Sequence, residues 1–279
     1  MEQIAQNNTV VITGAAGVLC STFAFDLAKK GMNIALLDLN IVAAQKIADE
    51  INQNGGKAIA IETNVLEKES LEKAHKIVQD KFGKCDILIN GAGGNNPKGT
   101  TSSEYFSKAD MEDESLTSFF DLDPSGIEFV FNLNFLGTLI PTQIFAKDFI
   151  DNQKGNIINI SSMNALKPLT KIPAYSGAKA AVSNFTQWLA VHFANQNIRV
   201  NAIAPGFFVT NQNKALLFDE NGNPTPRTNK ILAHTPMARF GEPSELLGTL
   251  DWLINEKASS FVTGIVVPVD GGFSAYSGV

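Results

Sequence analysis

The chain has few of the residues that mark disulfide-bonded or metal-dependent proteins. It contains two cysteines, Cys20 and Cys85, each within an apolar helix-like or strand-like stretch, so no disulfide is expected. Its three histidines, His75, His192 and His234, are scattered without ligand-like spacing, so no metal site is predicted. Surface or packing roles are expected for His75 and His192.

Long apolar runs and basic stripes are also missing. No uninterrupted run of ~18 apolar residues occurs, which predicts that nothing crosses a membrane. The amino-terminal residues MEQIAQNN lack the basic and apolar regions of a signal peptide, so a cytoplasmic protein is expected. The formal net charge of −6, from 28 acidic and 22 basic residues, argues against nucleic acid as a partner.

Strand-like and helix-like segments alternate along the chain. Short apolar runs lie near residues 9–13, 33–38, 57–62, 86–90, 156–161, 198–203 and 262–268, with amphipathic segments between them. This alternation predicts an α/β fold with a doubly wound, Rossmann-like parallel sheet. The length of 279 residues, 44% of them hydrophobic, is compatible with one domain over residues 1–279.

Glycines follow the first strand-like run in a pattern typical of nucleotide-binding turns. The β-branched run TVVIT breaks at Gly14 and Gly17 and continues as an apolar-periodic helix. Such glycines let the backbone approach a pyrophosphate at the N-terminus of a helix. Asp38 ends the run NIALLD at the distance expected of a ribose-binding carboxylate, and ILINGAGG opens into glycines that leave room for a flat cofactor.

A tyrosine and a lysine give the main catalytic signal. Tyr175 and Lys179 in PAYSGAK would share one helix face, and Ser162 lies thirteen positions upstream. Lys179 is expected to lower the pKa of Tyr175 from ~10 toward neutral pH, while the serine holds a substrate oxygen. A Tyr-x-x-x-Lys pair alone also occurs by chance on surface helices. The agreement with the glycine motifs favours hydride transfer.

With these motifs the chain resembles the short-chain dehydrogenase/reductase family from Thr9 to Gly272. The corresponding segments are Asn90–Gly93 for Asn-Asn-Ala-Gly, Asn134 for the helix asparagine, Ser162 for the catalytic serine, Pro205–Gly206 with Thr210 for the Pro-Gly segment, and Val269–Gly272 for the closing Val-Asp-Gly-Gly. The resemblance implies a homo-oligomer, a dimer or a tetramer. It also implies an oxidoreductase that acts on CH–OH groups.

The resemblance implies roles for four catalytic residues. Tyr175 would be the general acid/base, Ser162 would position the carbonyl, Lys179 would hold the nicotinamide ribose, and Asn134 would support a proton-relay water. NAD is expected as the cofactor, because Asp38 would repel the 2′-phosphate of NADP. The implied cofactor-binding residues are Thr13, Gly14, Gly17, Val18, Leu19, Asp38, Asn64, Val65, Asn90, Gly91, Ala92, Gly93, Tyr175, Lys179, Pro205, Gly206, Phe208 and Thr210.

One motif departs from the family pattern. Compact members carry Thr-Gly-x-x-x-Gly-x-Gly, whereas TGAAGVLC has its second glycine one position early and Cys20 in place of the third. The early glycine resembles the turn of extended members, many of which are sugar-nucleotide epimerases. A sugar epimerase and an inactive nucleotide-binding scaffold therefore stay open as less favoured alternatives. A slight displacement of the helix is expected at Cys20.

Two stretches interrupt the alternation. Residues 95–124 form an insertion that is either a surface excursion or a flap over the carboxyl ends of the strands. Residues 206–241 form a lid segment, since the family covers its substrate there and hydride transfer requires exclusion of water.

Local segments narrow the substrate to a sugar acid. GGNNPK, SMNA, the stretch from Phe208 to Phe218 and the ending GFSAYSGV resemble bacterial D-mannonate oxidoreductases, also called fructuronate reductases, within the family. A hexuronate needs hydroxyl partners and a cation for its carboxylate. The expected substrate-binding residues are Ser162, Asn164, Lys171, Tyr175 and Arg227. Another polyol or keto-sugar acid is the alternative substrate.

Overall fold

Parallel strands form one central sheet in the computed structural model, which describes residues 7–209 and 217–278. Within these ranges the seven strands are β1 (Thr9–Thr13), β2 (Asn33–Asp38), β3 (Lys57–Glu62), β4 (Ile87–Asn90), β5 (Gly155–Ile160), β6 (Ile198–Pro205) and β7 (Val266–Val269). Their order is β3-β2-β1-β4-β5-β6-β7, and every neighbouring pair is parallel. The predicted Rossmann-like sheet is confirmed.

Helices cover both faces of the sheet. The α-helices of the described ranges are α1 (Val18–Lys29), α2 (Ile41–Gln53), α3 (Lys68–Phe82), α4 (Pro124–Phe131), α5 (Gly137–Asn152), α6 (Pro173–His192), α7 (Pro226–Ala233), α8 (Leu247–Ile254) and α9 (Glu256–Ser259). One hydrophobic cluster joins α1, α2 and α8 to the sheet, and a second joins α3, α5 and α6 to it. The chain is therefore wound on both sides of a single sheet.

The last strand is shorter than its sequence pattern suggested. It begins at Val266, not at Val262, because the preceding residues form a loop held by β6. Asn201 donates its side-chain N–H to the Val262 carbonyl at 3.0 Å, and Gly264 adopts a left-handed φ of +80°. The apolar run that begins at Val262 therefore starts four residues before the strand that pairs with β6.

One helical stretch, Pro124–Asn152, is long and apolar enough to cross a membrane by length and composition. Polar residues interrupt it, so a count of uninterrupted apolar residues did not reveal it. Half of its most apolar 18-residue segment is buried, and Phe145 and Phe149 of α5 lie in the core cluster shared with α3 and the sheet. These two apolar side chains are thus part of the packed core.

The insertion is folded on itself and closed at its base. The Asp123 N–H donates to the Lys98 carbonyl at 3.1 Å, and the two side chains form an ion pair at 3.3 Å. Gly126 permits this closure, since an ideal Cβ there would lie 2.6 Å from the Lys98 Cβ. The insertion also contacts the loop before α6, because the Thr101 N–H donates to the Lys171 carbonyl at 2.9 Å.

Candidate active site

Two glycine turns meet at the carboxyl ends of β1 and β4, where the strand order reverses. Gly14 has a φ of +62°, and an ideal Cβ there would lie 2.8 Å from the Ala92 backbone. The Thr13 hydroxyl accepts hydrogen bonds from the N–H groups of Gly91 and Ala92, at 3.1 and 3.3 Å. These contacts fix the floor of a cleft of about 540 Å³ beside the N-terminus of α1.

Asp38 closes one end of this cleft. Its carboxylate accepts hydrogen bonds from the Ala16 N–H at 2.9 Å and the Asn40 N–H at 2.8 Å. The carboxylate thus holds the turn before α1 as well as facing the cleft. An acid at this point disfavours a second phosphate nearby.

Cys20 is accommodated by a glycine on the neighbouring turn. An ideal Cβ on Gly91 would lie only 2.1 Å from the Cys20 Sγ, so the thiol uses the space that a side chain at position 91 would fill. Burial raises the pKa of the Cys20 thiol to about 12, which keeps it neutral. The third glycine is therefore replaced without loss of the turn.

Ser162, Tyr175 and Lys179 come together beside the glycine turns. Ser162 follows β5, and α6, which begins at Pro173, carries the other two side chains. The buried Lys179 ammonium donates to the Ile160 carbonyl at 2.8 Å and lies 5.7 Å from the centre of the Tyr175 ring. An ideal Cβ on Gly93 would lie 3.1 Å from the Lys179 Nζ, so Lys179 borders the cleft.

Asn134 lies in a π-helical turn, Asn132–Leu136, between α4 and α5. Its side chain donates to the Gly94 carbonyl at 2.7 Å and accepts from the Gly94 N–H at 3.3 Å. The Thr138 hydroxyl donates to the Asn134 carbonyl at 2.9 Å. Such π turns are frequent at functional sites, and this one attaches the helix directly to the turn after β4.

The pKa of Tyr175 departs from expectation. Burial raises the pKa of Tyr175 above its ordinary value, and a side-chain hydrogen bond with Ser162 lowers it only in part. Burial also lowers the pKa of Lys179 to about 8. The predicted lowering of the Tyr175 pKa by Lys179 is wrong here: burial dominates and the lowering contribution comes from Ser162, whereas the Lys179 ammonium donates to the Ile160 carbonyl.

The class of the protein follows from its match to a family model. The short chain dehydrogenase model matches residues 8–221. The chain belongs to the short-chain dehydrogenase family. It is therefore an oxidoreductase that acts on alcohol or ketone groups.

Two relatives and one solved structure match nearly the full length of this dehydrogenase. An uncharacterized oxidoreductase of Haemophilus influenzae is 66% identical, over 98% of this chain and 95% of its own. Uncharacterized oxidoreductase UxuB of Bacillus subtilis is 51% identical, over 97% of this chain and 96% of its own. The solved structure of a candidate D-mannonate oxidoreductase from Haemophilus influenzae, with bound NAD, has a TM-score of 0.94 and 65% identity, and the match covers 98% of this chain and 97% of that one.

Half of the residues predicted to bind cofactor in the dehydrogenase line the cleft itself. These are Gly14, Gly17, Val18, Leu19, Asp38, Val65, Gly91, Ala92 and Gly93. Asn90 lies behind it, where its side chain donates to Asn159 at 2.9 Å and to Thr142 at 3.0 Å. The Asn64 side chain donates to Glu67 at 2.8 Å instead of facing the cleft. Cofactor contacts by Asn64 and Asn90 stay predictions.

Phe207 and Phe208, which follow the Pro205–Gly206 segment at the end of β6, line a second cavity of about 350 Å³. The Gly206 N–H donates to the Val269 carbonyl at 2.9 Å. The Phe208 ring packs against Gly241 and lines this cavity together with Thr235 and Met237. Cofactor contacts by Pro205, Gly206 and Phe208 therefore stay predictions. Thr210 lies outside the described residues.

Thr63, Asn40 and Ile160 are among the cleft-lining residues that sequence reasoning missed. Thr63 lines it where Asn64 was expected, and its N–H donates to the Asp38 carbonyl at 3.0 Å. Asn40 lines it next to Asp38, and the Ile160 carbonyl holds Lys179. Thr63 follows directly after β3, so its place at a strand end was the available signal.

Two of the residues predicted to bind substrate, Lys171 and Arg227, act on one acid of the insertion, Glu104. The Lys230 ammonium lies 2.5 Å from Glu104, and its hydrogen bond lowers the pKa of Glu104, with smaller contributions from Lys171 and Arg227. Asn164 is buried next to Ser162, and its Oδ1 has no hydrogen-bond partner among the described residues. Lys171 and Arg227, predicted from separate segments, therefore both lie close enough to Glu104 to act on its charge.

Proposed function

We propose that this chain is an NAD-dependent oxidoreductase that interconverts a sugar-acid ketone and its alcohol, namely D-fructuronate and D-mannonate. The observation that carries the proposal is that Lys171 and Arg227, two cations suited to a substrate carboxylate, both act on Glu104 in a chain that also has a dehydrogenase site. The 65% identity to the NAD-bound candidate D-mannonate oxidoreductase supports the same substrate.

The cleft suits NAD in shape and in chemistry. Gly14 and Gly91 leave the floor free of side chains, and the first-turn N–H groups of α1, which have no partner within a helix, favour an anion such as a pyrophosphate. Asp38 would accept from the hydroxyls of the adenosine ribose and repel a 2′-phosphate. NAD would supply or accept the hydride at the substrate carbon.

Proton transfer is assigned to Tyr175. Because its pKa is raised, Tyr175 keeps its proton at neutral pH and can donate it to the carbonyl oxygen during reduction. Its hydrogen bond with Ser162 favours the tyrosinate that forms, and the tyrosinate takes the proton back during oxidation of the alcohol. Asn134 and Lys179 complete the predicted catalytic group.

The substrate would lie between the catalytic group and the insertion. Lys171 and Arg227 offer charged donors for its carboxylate. The buried, unpartnered Oδ1 of Asn164 would accept from a substrate hydroxyl, since buried polar groups are normally hydrogen-bonded.

Turnover measurements test the proposal directly. Purified enzyme is assayed with D-mannonate, D-fructuronate, other hexuronates and aldonates, and neutral polyols, each with NAD(H) and NADP(H). We expect the highest kcat/KM with the mannonate–fructuronate pair and NAD(H). A higher kcat/KM with a neutral polyol would replace the substrate proposal, and a preference for NADP(H) would contradict the role of Asp38.

A homo-oligomer, a dimer or a tetramer, is part of the same proposal. It is supported by an exposed apolar face on α6, where Trp188 stacks on Phe185 and His192 and Val191 is 81% exposed. Light scattering of the purified protein measures the assembly, and Val191→Glu should shift it toward monomer. The cytoplasmic location stays a prediction from the sequence.

A further inference from the structure

Glu104 is the acid that links the insertion to the lid segment. Its side chain is 31% exposed and forms the ion pair with Lys230 of α7 at 2.5 Å. The hydrogen bond raises the pKa of Lys230 and lowers that of Glu104, so both groups stay charged at neutral pH. The two residues are 126 positions apart, and only the fold brings them together.

The ion pair of Lys230 also affects Arg227, because both residues lie on α7. Positions 227 and 230 are three residues apart, so they are neighbours on one helix face. Thr225 caps the helix by accepting from the Thr228 N–H at 3.3 Å, and the buried Thr228 hydroxyl donates to the Leu217 carbonyl. A contact that fixes Lys230 therefore also fixes the direction in which Arg227 extends.

The insertion holds Lys171 from the opposite side. Lys171 adopts a left-handed φ of +72°, which is uncommon for a residue with a side chain. Its carbonyl accepts the hydrogen bond from the Thr101 N–H, three residues before Glu104. One short segment, Thr101–Glu104, thus contacts the loop that carries Lys171 and the helix that carries Arg227.

We propose that Glu104 is a positioning residue for substrate specificity: through Lys230 it holds α7 so that Arg227 and Lys171 converge on one carboxylate. The inference rests on the proposed function, because the carboxylate is that of the sugar acid. Of the three cations that act on Glu104, Lys230 is already paired, whereas Lys171 and Arg227 form no ion pair among the described residues, so these two are left for the ligand. The insertion then forms a wall of the substrate site.

Kinetics of matched variants test the inference. Glu104→Gln and Lys230→Gln should each raise KM for D-mannonate about two- to fivefold, the range of a partly exposed ion pair, with KM for NAD unchanged. The swapped variant Glu104→Lys with Lys230→Glu should return KM to near the wild-type value. Glu112→Gln removes an exposed charge of the same insertion that forms no ion pair with α7 among the described residues, and it should behave as wild type.

Hydrogen exchange gives a readout that does not depend on the substrate. Amides of residues 226–233 should exchange faster in Glu104→Gln and Lys230→Gln than in wild type, and at the wild-type rate in Glu112→Gln and in the swapped variant. Unchanged exchange would overturn the positioning role, whatever the substrate. Faster exchange in an enzyme that fails to turn over sugar acids would keep the link between insertion and helix, but would overturn its role in carboxylate specificity together with the proposed function.

Discussion

The cofactor half of this molecule and the proposed substrate half hold their residues in place by different kinds of contact. Around the cleft, glycine turns, strand ends and buried groups such as Thr13 and Lys179 fix the geometry through backbone contacts. Around the substrate side, the exposed side chains of Arg227 and Lys230 and the partly exposed Glu104 set the geometry. We therefore expect the first half to tolerate few substitutions, and the second to change its preferred ligand through single exposed residues. Substitutions in each half can test this difference.

The largest effect is expected at the proton-transferring residue. Tyr175→Phe removes the hydroxyl that donates the proton but keeps the ring. We expect kcat to fall by at least ~10²-fold, the lower end for a positioned general acid. Titration with NADH should show unchanged binding, because the cleft is left intact. Near-normal turnover would contradict the mechanism.

On the substrate side, loss of the cations should change affinity and not the chemical step. Lys171→Met and Arg227→Leu should each raise KM for the sugar acid by ~10–10²-fold, since a charged hydrogen bond contributes ~1.5–3 kcal/mol. KM for NAD should not change. Lys167→Met, an exposed lysine of the same loop, is the matched control. If the double variant binds the sugar acid as well as wild type, the carboxylate site lies elsewhere.

In the cofactor half, one added methyl group should lower the free energy of unfolding of the domain. Gly91→Ala places a Cβ 2.1 Å from the Cys20 Sγ and 2.8 Å from the Thr13 carbonyl oxygen. We expect a loss of ~1–3 kcal/mol in the free energy of unfolding, as for other overpacked sites. Cys20→Gly in the same chain should recover part of it. Gly248→Ala, where the Cβ meets open space, is the control and should not destabilise the protein.

The smallest effect concerns a buried carboxylate far from both sites. Burial raises the pKa of Asp148, but hydrogen bonds from His75, the Cys85 N–H and Gln79 outweigh it, so the pKa lies below its usual value. The resulting stability is present above pH ~4, where an unfolded aspartate titrates, and is lost as the pH falls through the lower folded-state pKa.

Asp148→Asn tests this pH dependence. We expect a loss of ~1 kcal/mol at pH 7, because the asparagine keeps one acceptor oxygen but no charge. Urea unfolding at pH 7 and pH 3 measures it, and the difference between the two proteins should shrink in acid. An equal difference at both pH values would mean that the charge of Asp148 does not contribute.

The cofactor half could be predicted because its sequence pattern reflects local backbone constraints. Gly14 and Asp38 lie at strand ends whose positions follow from apolar runs alone. Asn64 shows the limit of this reasoning: the turn after β3 was located, but the residues that line the cleft there are Thr63 and Val65, on either side of Asn64. The direction of a side chain in a turn depends on neighbours that the sequence does not name.

Long-range contacts on the substrate side could not be predicted. Lys171 and Arg227 were identified as cations, but their common neighbour Glu104 lies in an insertion without a recognisable pattern. The error at Tyr175 has a related cause. Its helical spacing from Lys179 is visible in the sequence, whereas the burial that raises its pKa depends on packing by several distant segments.

The contact between Cys20 and Gly91 also constrains the evolutionary history of the chain. The family pattern has glycine where Cys20 stands and asparagine where Gly91 stands. A lineage starting from that pattern is expected to lose the side chain at position 91 before it gains the thiol at position 20, because in the present geometry the reverse order places a Cβ 2.1 Å from the Sγ. Once both changes are made, restoring a side chain at position 91 alone carries the destabilisation expected of Gly91→Ala, so a return to the family pattern is favoured when Cys20 changes first.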